Sequence, residues 1–171
     1  MKNRKIYWMC CAILLAFGCN ETDDGNHVDG ITLYEKIAGS WSATNVKMTD
    51  EVAKAGGAPV FEQNLTTQFN YDQMQISFNV DEKMQPTTYE VSGNVPPLFE
   101  ANGYYKLSSD YQPMATNPLK IYLYSDAALT AKTGELRVTA VPGSTGEMEL
   151  QLVRTSGGVP FVSYAFKLTA N

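Results

Sequence analysis

Along most of the chain apolar and polar residues alternate with period two. Met74, Ile76, Phe78 and Val80 alternate with Gln73, Gln75, Ser77 and Asn79, the pattern of a strand with one face in a core and the other in water. Leu119, Ile121 and Leu123 alternate with Lys120, Tyr122 and Tyr124, and Leu136, Val138 and Ala140 mark another strand. Met148, Leu150 and Leu152 oppose Glu147, Glu149 and Gln151, and Val162, Tyr164, Phe166 and Leu168 form the last strand. Turn signals fall between these runs at Asp81-Glu82, Gly93-Asn94, Asn102-Gly103, Asp110, Gly134, Pro142-Gly143-Ser144 and Gly157-Gly158. Their spacing of roughly 8 to 12 residues suits an antiparallel meander, sandwich or barrel of about eight to ten strands.

Helical signals are few. Thr32-Leu33-Tyr34-Glu35 has the capping-box form, with Leu33 and Ile37 four apart on one face and Gly39 placed to close the turn. Asp50 to Ala55 is a weaker helix, ended by Gly56-Gly57 and Pro59, and equally readable as a long loop.

The first residues follow a different rule. Lys2, Arg4 and Lys5 precede an apolar stretch from Ile6 to Phe17. About a dozen residues cannot span a bilayer, which takes roughly 20, but they suit the core of an export signal. Leu15-Ala16-Phe17-Gly18-Cys19 resembles the lipobox of bacterial lipoproteins, although the bulky Phe17 departs from its small-residue pattern. The resemblance implies a signal peptide over 1–18, lipidation of Cys19 and attachment to a membrane. The acidic, turn-rich tract after Cys19 cannot build a core and reads as a flexible tether over 19–30. It is similar to the acidic export tags of surface-displayed lipoproteins from Bacteroidetes-type bacteria. As a calcium loop it fails, because Val28 breaks the alternation begun by Asp24 and Asn26. The remaining residues, 31–171, are expected to form one domain.

Charge and cysteine content narrow the function classes. Lys2, Arg4 and Lys5 leave with the leader, so ten basic residues face eighteen acidic ones, a net charge of −8. That balance argues against nucleic acid, which needs a basic footprint, and against adhesion to an anionic bilayer without a lipid anchor. Cys10 and Cys11 also leave with the leader, so the body has no disulfide framework and must be held by its core.

Little in the body carries chemistry. His27, in the tether, is the one histidine, which removes the commonest general base and zinc ligand from the domain. No Gly-x-Ser-x-Gly elbow or Gly-rich phosphate loop occurs. Glu147 and Glu149 share one strand face about 7 Å apart, but Met148, Leu150 and Leu152 claim the inside and leave the glutamates to solvent. Neither an enzyme nor a cofactor or metal protein is expected. Tyrosines are the more informative group: Tyr104, Tyr105, Tyr111, Tyr122 and Tyr124 cluster among prolines, and such side chains line pockets or present flat platforms to sugars and partners.

A short capped helix running into Gly39-Ser40-Trp41 and then an antiparallel meander resembles the opening of lipocalin-type barrels, and in particular the lipocalin-like lipoproteins of Bacteroidetes-type bacteria. The specific match covers Thr32 to Val46. The resemblance implies an all-β, calycin-like barrel with Trp41 across its closed end, with a β-sandwich as the alternative fold. Members also carry a late arginine packed on that tryptophan, for which Arg137 and Arg154 are the candidates here, and a late helix, where a strand is expected here from Val162 to Leu168.

Three functions compete on these grounds. One is a non-enzymatic, lipid-anchored outer-membrane protein, surface-exposed, that binds a small apolar or amphipathic ligand. Its contact residues would be Trp41, Tyr104, Tyr122 and Tyr124, with loops Thr49–Val60 and Val95–Asn102 at the mouth. The second is a structural or accessory surface lipoprotein of a glycan- or nutrient-capture complex, with an envelope protein as partner. The third, a hydrolase, needs a buried carboxylate that the pattern does not supply.

Overall fold

The computed structural model describes residues 30–111 and 118–171. The leader, Cys19 and His27 lie outside the described residues. Nine strands form one antiparallel sheet: β1 (Gly39–Asp50), β2 (Glu62–Asn64), β3 (Gln75–Val80), β4 (Pro86–Ser92), β5 (Asn102–Leu107), β6 (Leu119–Tyr124), β7 (Lys132–Ala140), β8 (Glu147–Ser156) and β9 (Val159–Ala170). Each strand from β3 to β9 pairs with its neighbour in sequence, and β9 returns to β1 from Trp41↔Ala170 to Asp50↔Val162. That last pairing closes eight strands into a barrel and excludes the sandwich.

Closure answers where the backbone hydrogen bonds go, since a barrel leaves no long edge unpaired. The exception is managed locally. β1 pairs with β3 only from Gly39 to Ser42, and a register shift between Ala43 and Asn45 then turns it away. Its far half is covered by β2, from Lys47↔Asn64 to Thr49↔Glu62. In the gap, the Val46 amide donates to the Thr66 hydroxyl (2.9 Å) and the Leu65 amide to the Val46 carbonyl (2.8 Å).

The alternation places one apolar row per strand inside. Ile76 and Phe78, Ile121 and Leu123, Leu136, Met148 and Leu150, and Phe166 and Leu168 are all buried. Eight strands enclose a space just wide enough for side chains to fill, and these fill its middle and lower parts. The segment Ile31–Asn171 forms a compact unit that contains the whole closed sheet and its core.

Helix α1 (Leu33–Ile37) lies at one end, with Leu33, Tyr34 and Ile37 buried. Its Thr32–Glu35 capping box forms as the sequence predicts. Gly39 does not end the helix, however. Ala38 is the C-cap and Gly39 opens β1 at φ +117°, a backbone angle that favours glycine. The indole N–H of Trp41 donates to the Ile37 carbonyl at 2.8 Å, and the Leu107 amide donates to the Tyr34 hydroxyl at 3.2 Å. This is the closed end.

The opposite end is bordered by Asp50, Ser92, Asn102, Tyr124, Lys132, Ser156 and Val159, the strand termini that the antiparallel order brings there. Helix α2 (Glu51–Ala55) sits at this end, capped by Asp50, whose carboxylate accepts from the amides of Val52 and Ala53. Among the described residues no helix is long and apolar enough to cross a membrane.

Candidate binding site

The β4–β5 connection, residues 93–101, folds over the open end. Its start requires glycine: Gly93 has φ +109°, and a Cβ there would stand 2.4 Å from the Gln73 carbonyl oxygen. Pro96-Pro97 stiffens the middle, and Val95, Leu98 and Phe99 turn inward onto the core. The Phe99 ring meets Phe166 edge-on, with centroids 6.1 Å apart. Two side chains tie the loop down. The Tyr71 hydroxyl donates to the Pro96 carbonyl at 2.9 Å, and the Arg154 guanidinium donates to the Leu98 carbonyl.

Beneath the loop lies a cavity of about 70 Å³ whose walls include Tyr71, Met74, Val91, Val95, Phe99 and Phe166. Ligand sites commonly measure roughly 300 to 1,000 Å³, so this space as it stands holds one small apolar group. Beside it is an open depression of about 450 Å³, with Pro97 to Ala101 on one wall and Thr133, Gly134, Leu152 and Arg154 on the other. The same loop therefore walls both spaces.

Polar groups gather beside that loop. Burial pushes the Tyr89 hydroxyl above its ordinary pKa, the Thr133 side chain draws it back and the Glu100 carboxylate pushes it further up. Although Thr133 is close enough to act on it, the Tyr89 hydroxyl has no hydrogen bond of good geometry. Tyr71 is also raised, by burial and then by Tyr164.

A family model, described as a domain of unknown function (DUF5004), matches residues 18–169. The chain belongs to the DUF5004 family. The match spans the DUF5004 barrel through most of β9, and no curated protein matches the chain significantly.

The tyrosines singled out in the sequence lie elsewhere in this DUF5004 barrel. Tyr104 and Tyr124 pair across β5 and β6 on the outer face, and Tyr122 pairs with Lys106 on that face. All three are half-buried. The Lys132 ammonium sits 4.2 Å from the Tyr122 ring centroid and bonds Glu135, which also holds Lys120. Trp41 is 3% exposed at the closed end. None of the four lines the cavity under the loop. Arg154 lies at the open end, far from Trp41, and Arg137 stands opposite Lys120 and Gln151 on β7. The only cation over an aromatic ring among the described residues is Lys132 on Tyr122. Glu149 pairs with Lys167 at 3.3 Å on the outside, and Glu147 is exposed.

The sequence places the Val95–Asn102 loop at the mouth, but singles out neither Leu98 and Phe99 nor Arg154 as the side chains that shape it. Two signals were available for them. Leu98-Phe99 is an apolar pair inside a turn-rich, proline-containing segment, and Arg154 occupies the next inward place after Met148, Leu150 and Leu152.

Proposed function

We propose that this protein is a non-enzymatic, lipid-anchored envelope protein that binds a small apolar or amphipathic ligand at the open end of its barrel. The observation that carries the reading is the apolar cavity under the 93–101 loop, adjoining an open depression that carries Glu100, Thr133 and Arg154. Below it Phe78, Tyr105 and Phe166 fill the barrel, so a ligand larger than one small group enters by displacing the loop. The polar groups that meet there, Glu100, Thr133 and Arg154, include no nucleophile bonded to a base, which favours binding over hydrolysis. The lipobox-like Cys19 supports anchoring, and the acidic tract behind it supports display at the outer membrane surface.

Two experiments test this. A neutral fluorescent apolar probe, 1-aminoanthracene, is expected to bind residues 20–171 saturably and to be displaced by cell-envelope lipid extract; no saturable binding overturns the ligand reading. Cys19→Ala is expected to move the protein out of the membrane fraction, and retention there overturns the anchor.

The outward Tyr104–Tyr124 pair favours a second reading, an accessory surface lipoprotein of a glycan- or nutrient-capture complex. Replacing both with Ser would then abolish partner or glycan binding and leave probe binding intact.

A further inference from the structure

The alternation on β8 buries Met148, Leu150 and Leu152, and then puts Arg154 where a fourth apolar side chain would point over the mouth. Arg154 is the only basic residue lining the open depression, and no ion pair among the described residues includes it. Its recorded partner is the neutral carbonyl of Leu98, on the loop that covers the apolar cavity. A guanidinium carries five donors in a fixed fork, and one carbonyl leaves most of that capacity to water.

We propose that Arg154 is a latch on the mouth loop, released when the anionic headgroup of an amphipathic ligand takes the guanidinium. This rests on the ligand-binding reading above. A carboxylate or phosphate takes the fork through two parallel bonds and carries the opposite full charge, whereas Leu98 offers one neutral oxygen, so the anion outcompetes the carbonyl. Loss of that bond leaves the Tyr71–Pro96 contact as the remaining side-chain tie on the loop.

Glu100 is the carboxylate in the same depression, and it opposes an incoming anion. It rides on the loop itself, so the repulsion is relieved by the opening that the ligand requires. Thr133, in the same depression, then lies beside the bound headgroup, and the apolar tail enters the cavity walled by Phe99 and Phe166.

Three probes of equal chain length, used below their micellar concentrations, separate the possibilities: dodecanoate, dodecyl phosphate and the neutral dodecanol. Binding to residues 20–171 is read by calorimetry, and loop opening by amide hydrogen exchange over 98–101. At least one anion is expected to bind about tenfold or more tighter than dodecanol and to speed loop exchange; which of the two does so identifies carboxylate or phosphate as the headgroup. Arg154→Gln is expected to erase the preference, keep dodecanol binding and show fast loop exchange without ligand, with strand amides unchanged. Arg154→Lys, which keeps the charge and loses the fork, should recover part of the preference. Equal binding of all three probes by both wild type and Arg154→Gln, with unchanged loop exchange, overturns the latch and leaves the binding reading standing. Failure of every probe to bind overturns both.

Discussion

The indole N–H of Trp41 donates to the main-chain carbonyl of Ile37, 2.8 Å away, and so fastens the first strand of the barrel to the helix beneath it. A helix of five residues leaves its last carbonyls without intrahelical partners, and the indole satisfies one of them inside the core. Trp41→Phe removes that donor and leaves unfilled space. It is expected to lower stability by about 2–3 kcal/mol in urea unfolding. A loss below about 0.5 kcal/mol would mean that the helix is held by other contacts.

Tyr105 is fully buried, packed edge-on against Phe78 at 5.1 Å, and its hydroxyl has no partner. Tyr105→Phe therefore deletes an unsatisfied polar atom and keeps the ring. Stability should stay level or rise by about 1 kcal/mol. A clear fall would reveal a bonded water at the hydroxyl.

The same side chain sets an alkaline limit. Burial, followed by the neighbouring Tyr34, raises the Tyr105 pKa well above the ordinary value. The contribution from the neutral phenol is whole below the unfolded pKa of about 10. Above that the unfolded chain releases its proton first, so stability falls by about 1.4 kcal/mol per pH unit until the folded group also ionises. Urea midpoints of wild type and Tyr105→Phe should diverge above about pH 10, with the wild type losing stability more steeply. Parallel curves would contradict the assignment.

Gly103 lies where a Cβ would meet the Tyr124 carbonyl oxygen at 2.3 Å and the Tyr89 ring at 3.1 Å. Gly103→Ala must push the β5 backbone off β6 or the ring out of place. A loss of about 2–4 kcal/mol is expected, seen as a drop in Tm, with faster exchange at Tyr104 and Tyr105.

Tyr71→Phe cuts one tie of the mouth loop and leaves the ring in the cavity wall. Amides from Leu98 to Ala101 should exchange about fivefold faster, in line with a hydrogen bond worth about 1 kcal/mol. Unchanged exchange would mean that the bond to Pro96 does not hold the loop.

How far the sequence could be read depended on whether a strand's inward row is apolar. β3, β6, β8 and β9 carry alternating Ile, Leu, Met and Phe, and they are plain in the sequence. β4 and β5 are not, because each fills its part of the barrel with a tyrosine, Tyr89 and Tyr105, rather than an aliphatic row. Asn102-Gly103 suggests a turn, yet both lie in β5, where the glycine makes room for the Tyr89 ring and the Tyr124 carbonyl. Gly134 likewise falls inside β7, where Leu123 pairs with it and packs close by. β2 is exposed throughout and exists only to cover the half of β1 that leaves β3.

The mouth was less accessible to sequence reading. Pockets favour tyrosines, but strand parity puts Tyr104, Tyr122 and Tyr124 outside. A loop that folds back onto the core shows only as Leu98-Phe99 among turn residues. Arg154 becomes informative once the register of β8 places it as the exposed end of the inward row, at the mouth.

The most direct measurement is native mass spectrometry on residues 20–171 purified without detergent and then exposed to cell-envelope lipid extract. A bound mass that leaves on denaturation, and that is lost when Phe99→Asp puts a charge into the cavity, is the predicted result. A bare protein mass under all conditions would contradict a ligand site under the 93–101 loop.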